Sequence, residues 1–346
     1  MFFSTARALF GAAIVSSAFW GALAQAQETT LPTPAGFGVN LAGAEFGGDK
    51  LPGVPYRDYT WPSGAELDYL RDKGCRLIRL PILWERMQPK LDEPLDEDKM
   101  RELEGVMKAC AEHRIGILLD CHSYGRYRGQ IIGTGGVSIE NFADFWGKIA
   151  TRLGKQPAMW GYGLMNEPHD MEDATRWPRA AQAATDAIRA TGARQWVFVA
   201  GDGWSGAHSW RQNNENLDVR DAQDHVVYEA HQYFDADNSG SYKHSYEEEK
   251  ATATIGSERL APFAAWLREK KRRGFIGEFG APNNDRRWHG VLQDFVSAMQ
   301  KEGIGGTYWA GGAWWGEYPL TVEPLDDFQT DRPAMKILAP LFDRKP

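Results

Sequence analysis

Residues 161–168 of the chain read GYGLMNEP, an apolar segment that ends in an amide, a carboxylate and a proline. The segment Gly161–Met165 predicts a short buried strand, because a brief apolar run bounded by turn residues is typical of one. Asn166 and Glu167 then lie at the tip of this strand, and Pro168 predicts an extended backbone at Glu167. One such segment decides little alone, since strand ends often carry polar residues.

Seven more segments have the same short apolar character, and helical patterns separate most of them. The predicted strands are Phe37–Leu41, Arg76–Leu80, Gly116–Asp120, Gly161–Met165, Trp196–Ala200, Val226–Ala230, Phe275–Glu278 and Ile304–Trp309. The predicted helices are Gly64–Lys73, Asp96–Ala111, Ile139–Leu153, Asp173–Ala190, Ser257–Lys271 and Trp288–Lys301. No clear helix is predicted between the fifth and sixth strands. Strands that alternate with helices pair in parallel, because each crossover helix returns the chain to the same edge.

Eight such strands predict an α/β fold, a closed (β/α)8 TIM barrel in a single domain, with an open doubly wound sheet as the alternative. The placement of polar and aromatic residues favours the barrel. Most predicted strands carry one at or just past the carboxyl end: Arg79, Asp120, His122, Asn166, Glu167, His231, Tyr233, Glu278 and Trp309. In a barrel this face carries the active site, so separate strands direct these side chains at one centre.

The composition indicates a globular protein and excludes some classes of partner. The 346 residues are 42% hydrophobic and 25% charged, and the formal net charge is −8. Nucleic acids and anionic membranes are bound by concentrated Lys and Arg. The cationic run 268–273 is interrupted by Glu269 and fits the solvated end of a helix. We therefore expect no nucleic acid partner, and we expect the protein to be a monomer.

The first 26 residues have the order of a secretory signal peptide. Arg7 is their only charge, the apolar run 8–23 follows it, and Ala24–Ala26 supplies small residues for cleavage. The run is too short for a comfortable membrane span, and an uncleaved anchor is the alternative. The sequence thus predicts residues 1–26 as the signal, residues 27–346 as the catalytic domain, and a protein secreted to the extracellular space or the periplasm, with no membrane contact after cleavage.

Three cysteines, Cys75, Cys110 and Cys121, are too few for a full disulfide framework. Cys110 shares a helical stripe with apolar residues, which predicts a buried, inert thiol. Cys75 begins a strand and Cys110 ends a helix, so a bridge between them at the bottom of a barrel is the alternative.

A second carboxylate, Glu278, indicates a chemical role for Glu167. Glu278 lies in the segment Gly274–Gly280, GFIGEFG, where glycines flank a buried acidic residue. An isolated buried glutamate is costly unless it is paired or functional. Two carboxylates that face each other across a barrel mouth are the groups that glycosidic cleavage needs, one as an acid and one as an anion. A separation near about 5 Å predicts retention of configuration, and about 6.5 to 9.5 Å predicts inversion.

Several motifs together resemble glycoside hydrolase family five, the cellulase family A. In order they are Ile78–Pro81 (IRLP), Asp120–Tyr124 (DCHSY), Asn166–Pro168 (NEP), His231–Tyr233 (HQY), Gly277–Gly280 (GEFG) and Tyr308–Trp309 (YW). The segments Gly38–Phe46 (GVNLAGAEF) and Trp314–Leu320 (WWGEYPL) resemble its endoglucanase subfamily five. The likeness covers about residues 36 to 325.

The resemblance implies that Glu167 is the acid/base and Glu278 the nucleophile. It implies a secreted, retaining endo-β-1,4-glucanase that binds a β-glucan polysaccharide or oligosaccharide and needs no metal and no other cofactor. It also assigns further roles: Arg79 beside Glu278, Asn166 at the sugar 2-hydroxyl, His122 lining the site, His231 near the acid/base, Tyr233 donating to Glu278, and Trp309 as the floor under the sugar. The family usually has Asn where this chain has Ser123, which receives no role.

Two alternatives remain at this stage. The same chemistry could act on another β-glycan, such as mixed-linkage glucan, mannan or xylan, because loops set specificity while the catalytic core is shared. A glycan-binding protein without catalysis is the alternative of another class, and the intact pair Glu167 and Glu278 speaks against it.

Tryptophans supply candidate sugar-stacking surfaces, because pyranose rings present flat C–H faces. Trp204, Trp314 and Trp315 occur in glycine-rich segments after strands, and we expect Trp204 and Trp315 to bind substrate. Core packing is the expected role of Trp146, Trp160, Trp196 and Trp266.

Other motifs fail on inspection. The segment Asp235–Gly240 resembles the start of a calcium loop, but Tyr246 stands where a bidentate glutamate is needed. The segment Gly133–Gly136 lacks the lysine of a phosphate-binding loop, and no His-Glu-x-x-His motif supports zinc.

Overall fold

The computed structural model describes residues 1–2 and 34–342. Nearly all of the predicted signal peptide, residues 1–26, lies outside the described residues, and its cleavage stays a prediction. Residues 34–342 contain every predicted strand and helix.

Eight parallel strands close into a barrel, each paired with the next along the chain and the last with the first. They are β1 (Phe37–Leu41), β2 (Leu77–Ile82), β3 (Gly116–Cys121), β4 (Met159–Gly163), β5 (Trp196–Ala200), β6 (Val226–Gln232), β7 (Gly274–Phe279) and β8 (Gly305–Gly311). The predicted single-domain (β/α)8 barrel is confirmed, and the open doubly wound sheet is wrong because β8 pairs with β1.

The helices surround the barrel. They are α1 (Gly64–Asp72), α2 (Trp84–Met87), α3 (Glu97–Glu112), α4 (Ile139–Leu153), α5 (Arg176–Ala190), α6 (Trp210–Asn214), α7 (Ile255–Lys270), α8 (Arg286–Lys301) and α9 (Pro333–Phe342). A small hairpin pairs Arg126–Tyr127 with Gln130–Ile131, and Ala313–Trp315 forms a 3₁₀ turn. The crossover from β5 to β6 contains only the five-residue α6, which is why the sequence shows no clear helical period there.

The barrel interior is filled in layers that alternate along each strand. One apolar layer takes a side chain from each of six neighbouring strands: Leu77, Leu118, Trp160, Phe198, Val227 and Phe275. Two residues further along, the inward side chains become polar, with Arg79, Asp120 and Glu229 all buried. The apolar layer closes the barrel from below, so the polar layer opens only at the carboxyl ends of the strands.

All three cysteines are buried and free. The alternative bridge between Cys75 and Cys110 is therefore absent, and burial raises the pKa of each of these two thiols to about 12. The inert thiol predicted for Cys110 fits this environment. Among the residues that the structure describes, no helix has the length and apolar character needed to cross a membrane.

Candidate active site

Glu167 and Glu278 meet at the carboxyl end of the barrel. One oxygen of each carboxylate and one ring nitrogen of His231 all lie within 4.8 Å of one another. Glu278 is buried on β7, while the Glu167 side chain, in the turn after β4, keeps 16% of its surface exposed. The two residues are 111 positions apart in the sequence, and only closure of the barrel brings their carboxylates together.

Glu278 is held by a different donor on each oxygen. Arg79 Nη1 donates to Oε1 at 3.0 Å, and the hydroxyl of Tyr233 donates to Oε2 at 2.8 Å. Hydrogen bonds from a cation and from a phenol both favour the ionised carboxylate. The anion raises the pKa of Tyr233 further above the range that burial already sets, so the phenol keeps its proton.

Arg79 is completely buried and faces three carboxylates. Its nitrogens lie 3.0 Å from oxygens of Asp120, Glu229 and Glu278. The contact of Nε with Glu229 is an ion pair whose angle does not suit a directed hydrogen bond. Burial opposes the charge of the guanidinium, but these carboxylates outweigh it and raise the pKa of Arg79, so the cation is permanent.

Asn166 is fixed through its oxygen and keeps its amino group free. Arg79 Nη2 donates to Asn166 Oδ1 at 2.7 Å. Asn166 Nδ2 is buried and has no hydrogen-bond partner among the described residues. A buried donor without a partner costs free energy, so this group is suited to a ligand that supplies an acceptor.

The backbone of Glu167 corrects one expectation. Pro168 predicts an extended conformation, but φ of Glu167 is +43°, in the left-handed region. Contacts on both sides hold the strained turn: the Asn166 N–H donates to Cys121 O at 2.7 Å, and Trp204 N–H donates to Pro168 O at 3.0 Å. Tertiary contacts thus override the local preference, and such strain is commonly found at functional sites.

His231 lies between the two carboxylates. Its Nδ1 is 2.8 Å from Glu167 Oε1 and 3.6 Å from Glu278 Oε2, and its Nε2 is 3.3 Å from Glu229 Oε1. Burial disfavours the charged ring, yet the carboxylates of Glu278, Glu167 and Glu229 prevail and raise the pKa of His231 to about 10. The carboxylates around the ring therefore favour its imidazolium form.

His122 and Trp309 form one wall of the site. His122 Nδ1 lies 2.7 Å from Asp120 Oδ2, and the imidazole ring is nearly parallel to the Trp309 ring, with centroids 5.7 Å apart. Burial lowers the pKa of His122, but the hydrogen bond to Asp120 and its charge outweigh it, so the pKa is raised. Trp309 is itself mostly buried, with 8% of its surface exposed.

Further aromatic residues extend the wall. Trp315 contacts Trp309 edge to face at 5.1 Å, and Phe46 contacts Trp315 at the same distance. Trp204 is 51% exposed, and its indole stacks on His169 at 3.5 Å with the two planes 8° apart. Trp204 adjoins the turn that carries Glu167, through its backbone contact with Pro168, whereas Trp315 adjoins Trp309. The four tryptophans for which core packing is predicted, Trp146, Trp160, Trp196 and Trp266, pack in the core or partly against it.

Ser123 and Asp235, for which no role in the site is predicted, both hold backbone segments in place. Ser123 donates to Glu85 at 3.1 Å and accepts from Trp84 N–H at 3.1 Å, so it braces the backbone. Asp235 accepts backbone N–H groups from Gly240 and Tyr242, each at 3.1 Å, and so shapes the turn that follows it.

The sequence interpretation missed two residues of the site, Asn40 and Glu229. Asn40 accepts from Arg79 at 3.0 Å and donates to Gly277 O at 2.8 Å. Glu229 lies two residues before His231 on β6, and a strand directs such residues to the same face. That spacing is the signal that could have revealed Glu229.

The atoms of Glu167, His231 and Glu278 are also close enough to hold a metal ion. Each is already engaged within the protein: His231 Nδ1 with Glu167 Oε1, and Glu278 Oε2 with the Tyr233 hydroxyl. These contacts within the protein account for the closeness of the three side chains.

A barrel with two carboxylates this close at its mouth, beside a wall of aromatic rings, defines the chain as a glycoside hydrolase. The family model described as Cellulase (glycosyl hydrolase family 5) matches residues 34–314. The chain belongs to this family.

The chain is also similar to individual proteins over most of its length. The chain is 35% identical over 323 residues to a protein of Aspergillus oryzae named probable endo-beta-1,4-glucanase B, covering 92% of this chain and 94% of that one. It is 36% identical over 294 residues to endo-beta-1,4-glucanase B of Emericella nidulans, covering 84% and 86%. The crystal structure of Pseudomonas stutzeri endoglucanase Cel5A in complex with cellobiose matches with a TM-score of 0.85 and 37% identity, over 90% of this chain and 94% of that chain.

Proposed function

We propose that the protein is a retaining endo-β-1,4-glucanase that hydrolyses internal bonds of cellulose-like chains by double displacement. The observation that carries this proposal is the approach of the Glu167 and Glu278 carboxylates to within 4.8 Å. This spacing suits direct attack by a carboxylate, at about 5 to 5.5 Å, and leaves no room for the water of an inverting enzyme, at about 6.5 to 9.5 Å.

In the first step Glu278 is the nucleophile and Glu167 the acid. An oxygen of Glu278 bonds to the anomeric carbon while the bond from that carbon to the glycosidic oxygen breaks, and Glu167 gives its proton to the departing oxygen. Arg79 and Tyr233 support the assignment of Glu278 as the anion, since both donate to it. The products are a glycosyl-enzyme ester and a shortened chain with a free hydroxyl end.

In the second step Glu167 is the base. It takes a proton from a water molecule, whose oxygen attacks the anomeric carbon, and the ester bond to Glu278 breaks. Two inversions at one carbon give net retention. Glu278 regains its negative charge and Glu167 its proton, so the enzyme returns to its starting state.

The remaining site residues suit a pyranose ligand. Trp309 and Trp315 offer aromatic faces for sugar rings, and the free Nδ2 of Asn166 is a donor for the 2-hydroxyl. Trp204, exposed next to the Glu167 turn, offers a further stacking surface, and His122 completes the lining beside Trp309. The named activities of the relatives, and the cellobiose bound by the Pseudomonas stutzeri protein, favour β-1,4-linked glucose as the substrate.

Proton NMR of the first sugar anomer released from a cello-oligosaccharide tests the mechanism. We expect the β-anomer to appear first and then to equilibrate with the α-anomer. Initial release of the α-anomer would mean inversion and would overturn the double displacement.

Reducing-sugar assays on a panel of soluble glycans test the substrate. We expect carboxymethyl-cellulose to be cleaved faster than mannan or xylan. Strong cleavage of mannan with none of carboxymethyl-cellulose would favour another β-glycan, and binding without cleavage of any glycan would favour a non-catalytic protein.

We also propose that residues 1–26 are removed on export and that residues 27–346 act as a monomer outside the cell or in the periplasm. The support is the order of charge, apolar run and small residues. N-terminal sequencing of the exported protein should begin close to residue 27, and light scattering should give the mass of one chain. An intact N-terminus held in the membrane fraction would establish the anchor instead.

A further inference from the structure

Glu229 is a buried carboxylate directly beneath the site, and neither step of the proposed reaction uses it. It lies on β6, is 2% exposed, and its Oε1 is 3.0 Å from Arg79 Nε and 3.3 Å from His231 Nε2. Removing a carboxylate from water costs several kcal/mol unless cations and hydrogen bonds compensate it. Glu229 therefore depends on two cations that also contact Glu278.

The backbone of β7 is shaped around this carboxylate. A Cβ at Gly277 would lie 1.9 Å from Glu229 Oε1, so any other residue there would push the carboxylate away. Gly277 directly precedes Glu278. The pairing of β6 with β7 also shifts at this point, because Ala230 pairs with Ile276 and His231 with Glu278. The glycine at position 277, which has no side chain, therefore leaves the space that the Glu229 carboxylate occupies.

Glu229 and Glu167 contact opposite nitrogens of one imidazole ring. Glu167 Oε1 is at Nδ1 of His231 and Glu229 Oε1 is at Nε2. In the glycosyl-enzyme Glu167 and Glu229 are both anions, and a neutral ring with one N–H can donate to only one of them, whereas the imidazolium can donate to both. With both contacts formed, the charged ring is the form that the geometry satisfies, and the pKa of about 10 at His231 agrees with it.

The charged ring matters because the negative charge moves during the proposed reaction. Before the first step the anion is Glu278, and in the glycosyl-enzyme it is Glu167. His231 Nδ1 is 3.6 Å from an oxygen of the first and 2.8 Å from an oxygen of the second, so one imidazolium faces both sites of the charge. Glu229 gains and loses no charge in either step, and it can therefore keep the His231 ring in one protonation state.

We propose that Glu229 is a positioning residue that keeps His231 in its imidazolium form throughout the catalytic cycle. It acts through His231, with Arg79 as its second cation, and does not touch substrate. The catalytic consequence rests on the proposed function, whereas the protonation state of His231 does not. The other ionisable groups around the pair come from four further strands or the segments after them, and from the end of β6 itself. They are Arg79 from β2, Asp120 and His122 from β3, Glu167 after β4, Glu278 from β7, and Tyr233 after β6.

Nitrogen NMR of the histidine rings tests the proposal without turnover. Labelled wild-type protein should show His231 as an imidazolium through pH 8, with its signal assigned by loss in His231→Asn. In Glu229→Gln the ring should lose its proton at lower pH, because an acceptor of the same size remains but the negative charge is gone. Glu85→Gln is the matched control: this glutamate is also buried and hydrogen bonded, to Ser123, and is expected to leave the His231 titration unchanged.

Kinetics on a soluble β-glucan give the second readout. We expect Glu229→Gln to lower kcat by about 10- to 100-fold, part of the gain that acid/base catalysis supplies, with little change in KM. The alkaline limb of the kcat profile should move to lower pH, and Glu229→Asp, which keeps the charge, should hold that limb near its wild-type position. A merely structural role would reduce folded protein and kcat without moving the limb.

Gly277→Ala keeps the test decisive if Glu229→Gln does not fold. The new methyl group should displace the flexible carboxylate end of Glu229 and lower the pH at which His231 loses its proton. An unchanged His231 titration in whichever of these variants folds would overturn the proposal. If the titration shifts but no glycan is cleaved by the wild type, the proposal stands and the proposed function fails.

Discussion

At the scale of single residues, the site is a small set of charges that cannot all be neutralised by one cation. Arg79 faces Asp120, Glu229 and Glu278 at 3.0 Å each. The excess negative charge explains why His231 binds a proton so strongly despite its burial. The ionised nucleophile and the charged ring are therefore properties of one cluster and not of separate residues.

Glu278→Ala should abolish turnover, because no group remains to form the covalent bond. We expect a loss of roughly 10⁴-fold or more in kcat, with glycan binding largely kept. Added azide should fill the space of the lost carboxylate and restore cleavage in part, giving a glycosyl azide of inverted configuration. Identification of that product by mass spectrometry checks the prediction. The control is Glu97→Ala, a change at an exposed glutamate on α3, which should leave the activity at the wild-type level.

Glu167→Ala should separate acid from base catalysis. Natural glycan needs a proton on its leaving oxygen, so kcat should fall by about 10²- to 10⁴-fold. A substrate with an activated aryl leaving group needs no such proton, so the first step should persist and produce a burst of the aryl product. Equal losses on both substrates, measured by stopped-flow absorbance, would contradict the role of Glu167 as the acid.

At the scale of elements, the segment between β6 and α7 holds Tyr233 against the nucleophile. Arg259 of α7 donates to the carbonyls of Tyr233 and Asp235 at 2.7 and 2.8 Å. Gly240 has φ of +73°, and a Cβ there would lie 2.7 Å from the Tyr233 ring. Close packing within this segment thus positions the phenol whose hydroxyl donates to Glu278.

Gly240→Ala should disturb the nucleophile from a distance. The added methyl group would push the Tyr233 ring and lengthen its hydrogen bond to Glu278, and we expect kcat to fall by about tenfold, the equivalent of about 1.4 kcal/mol. Gly192→Ala is the matched control, because Gly192 also has positive φ, +85°, but open space around its Cβ position. Both variants should lose about 1 kcal/mol of stability from backbone strain, as measured by urea unfolding, while only the first loses activity. Similar kcat values for the two variants would show that the Tyr233 contact is unimportant.

The predicted end of β4 differs from the end that the structure shows. Residues 161–165 predict the strand, but β4 runs from Met159 to Gly163, and the apolar Leu164 and Met165 belong to the turn. They are buried, at 0% and 1% exposure, in the main apolar cluster of the protein. Apolar character reports burial and not strand pairing, so the pattern placed the strand end two residues late.

At the scale of the whole molecule, several buried and half-buried groups bind protons more tightly in the folded chain than in the unfolded one. Burial raises the pKa of Glu45 to about 8 and that of Glu323 to about 7, and the neighbouring carboxylates raise that of His231 to about 10 against the effect of burial. Each raised pKa stabilises the fold below the unfolded pKa of the group, and this contribution is lost as the pH rises through the folded value.

The free energy of unfolding should therefore fall between pH 5 and pH 9. Glu45 and Glu323 account for the decline up to about pH 8, and His231 continues it above pH 7. Urea unfolding midpoints at pH 5, 7 and 9 measure this dependence, and Glu45→Gln should flatten the lower part of the curve without changing the part due to His231. A midpoint that rises steadily with pH would contradict the prediction.

The order of strands and helices, the barrel, and the residue types at the strand ends follow from the sequence itself. Hydrophobic periodicity is a local property that each segment carries along its own length, and the family resemblance rests on short motifs of the same kind. Eight strands with helices between them leave few ways to bury both faces of the sheet, which is why local patterns were enough to predict a closed barrel.

Only the tertiary structure decided how near the carboxylates of Glu167 and Glu278 lie, the left-handed backbone at Glu167, and the place of Glu229 between Arg79 and His231. The contacts of Glu167 with Glu278 and of Arg79 with Glu229 join residues more than 100 positions apart, and ångström distances between them depend on how the strands stagger and close. No local pattern encodes that stagger, because it results from the packing of all eight strands at once.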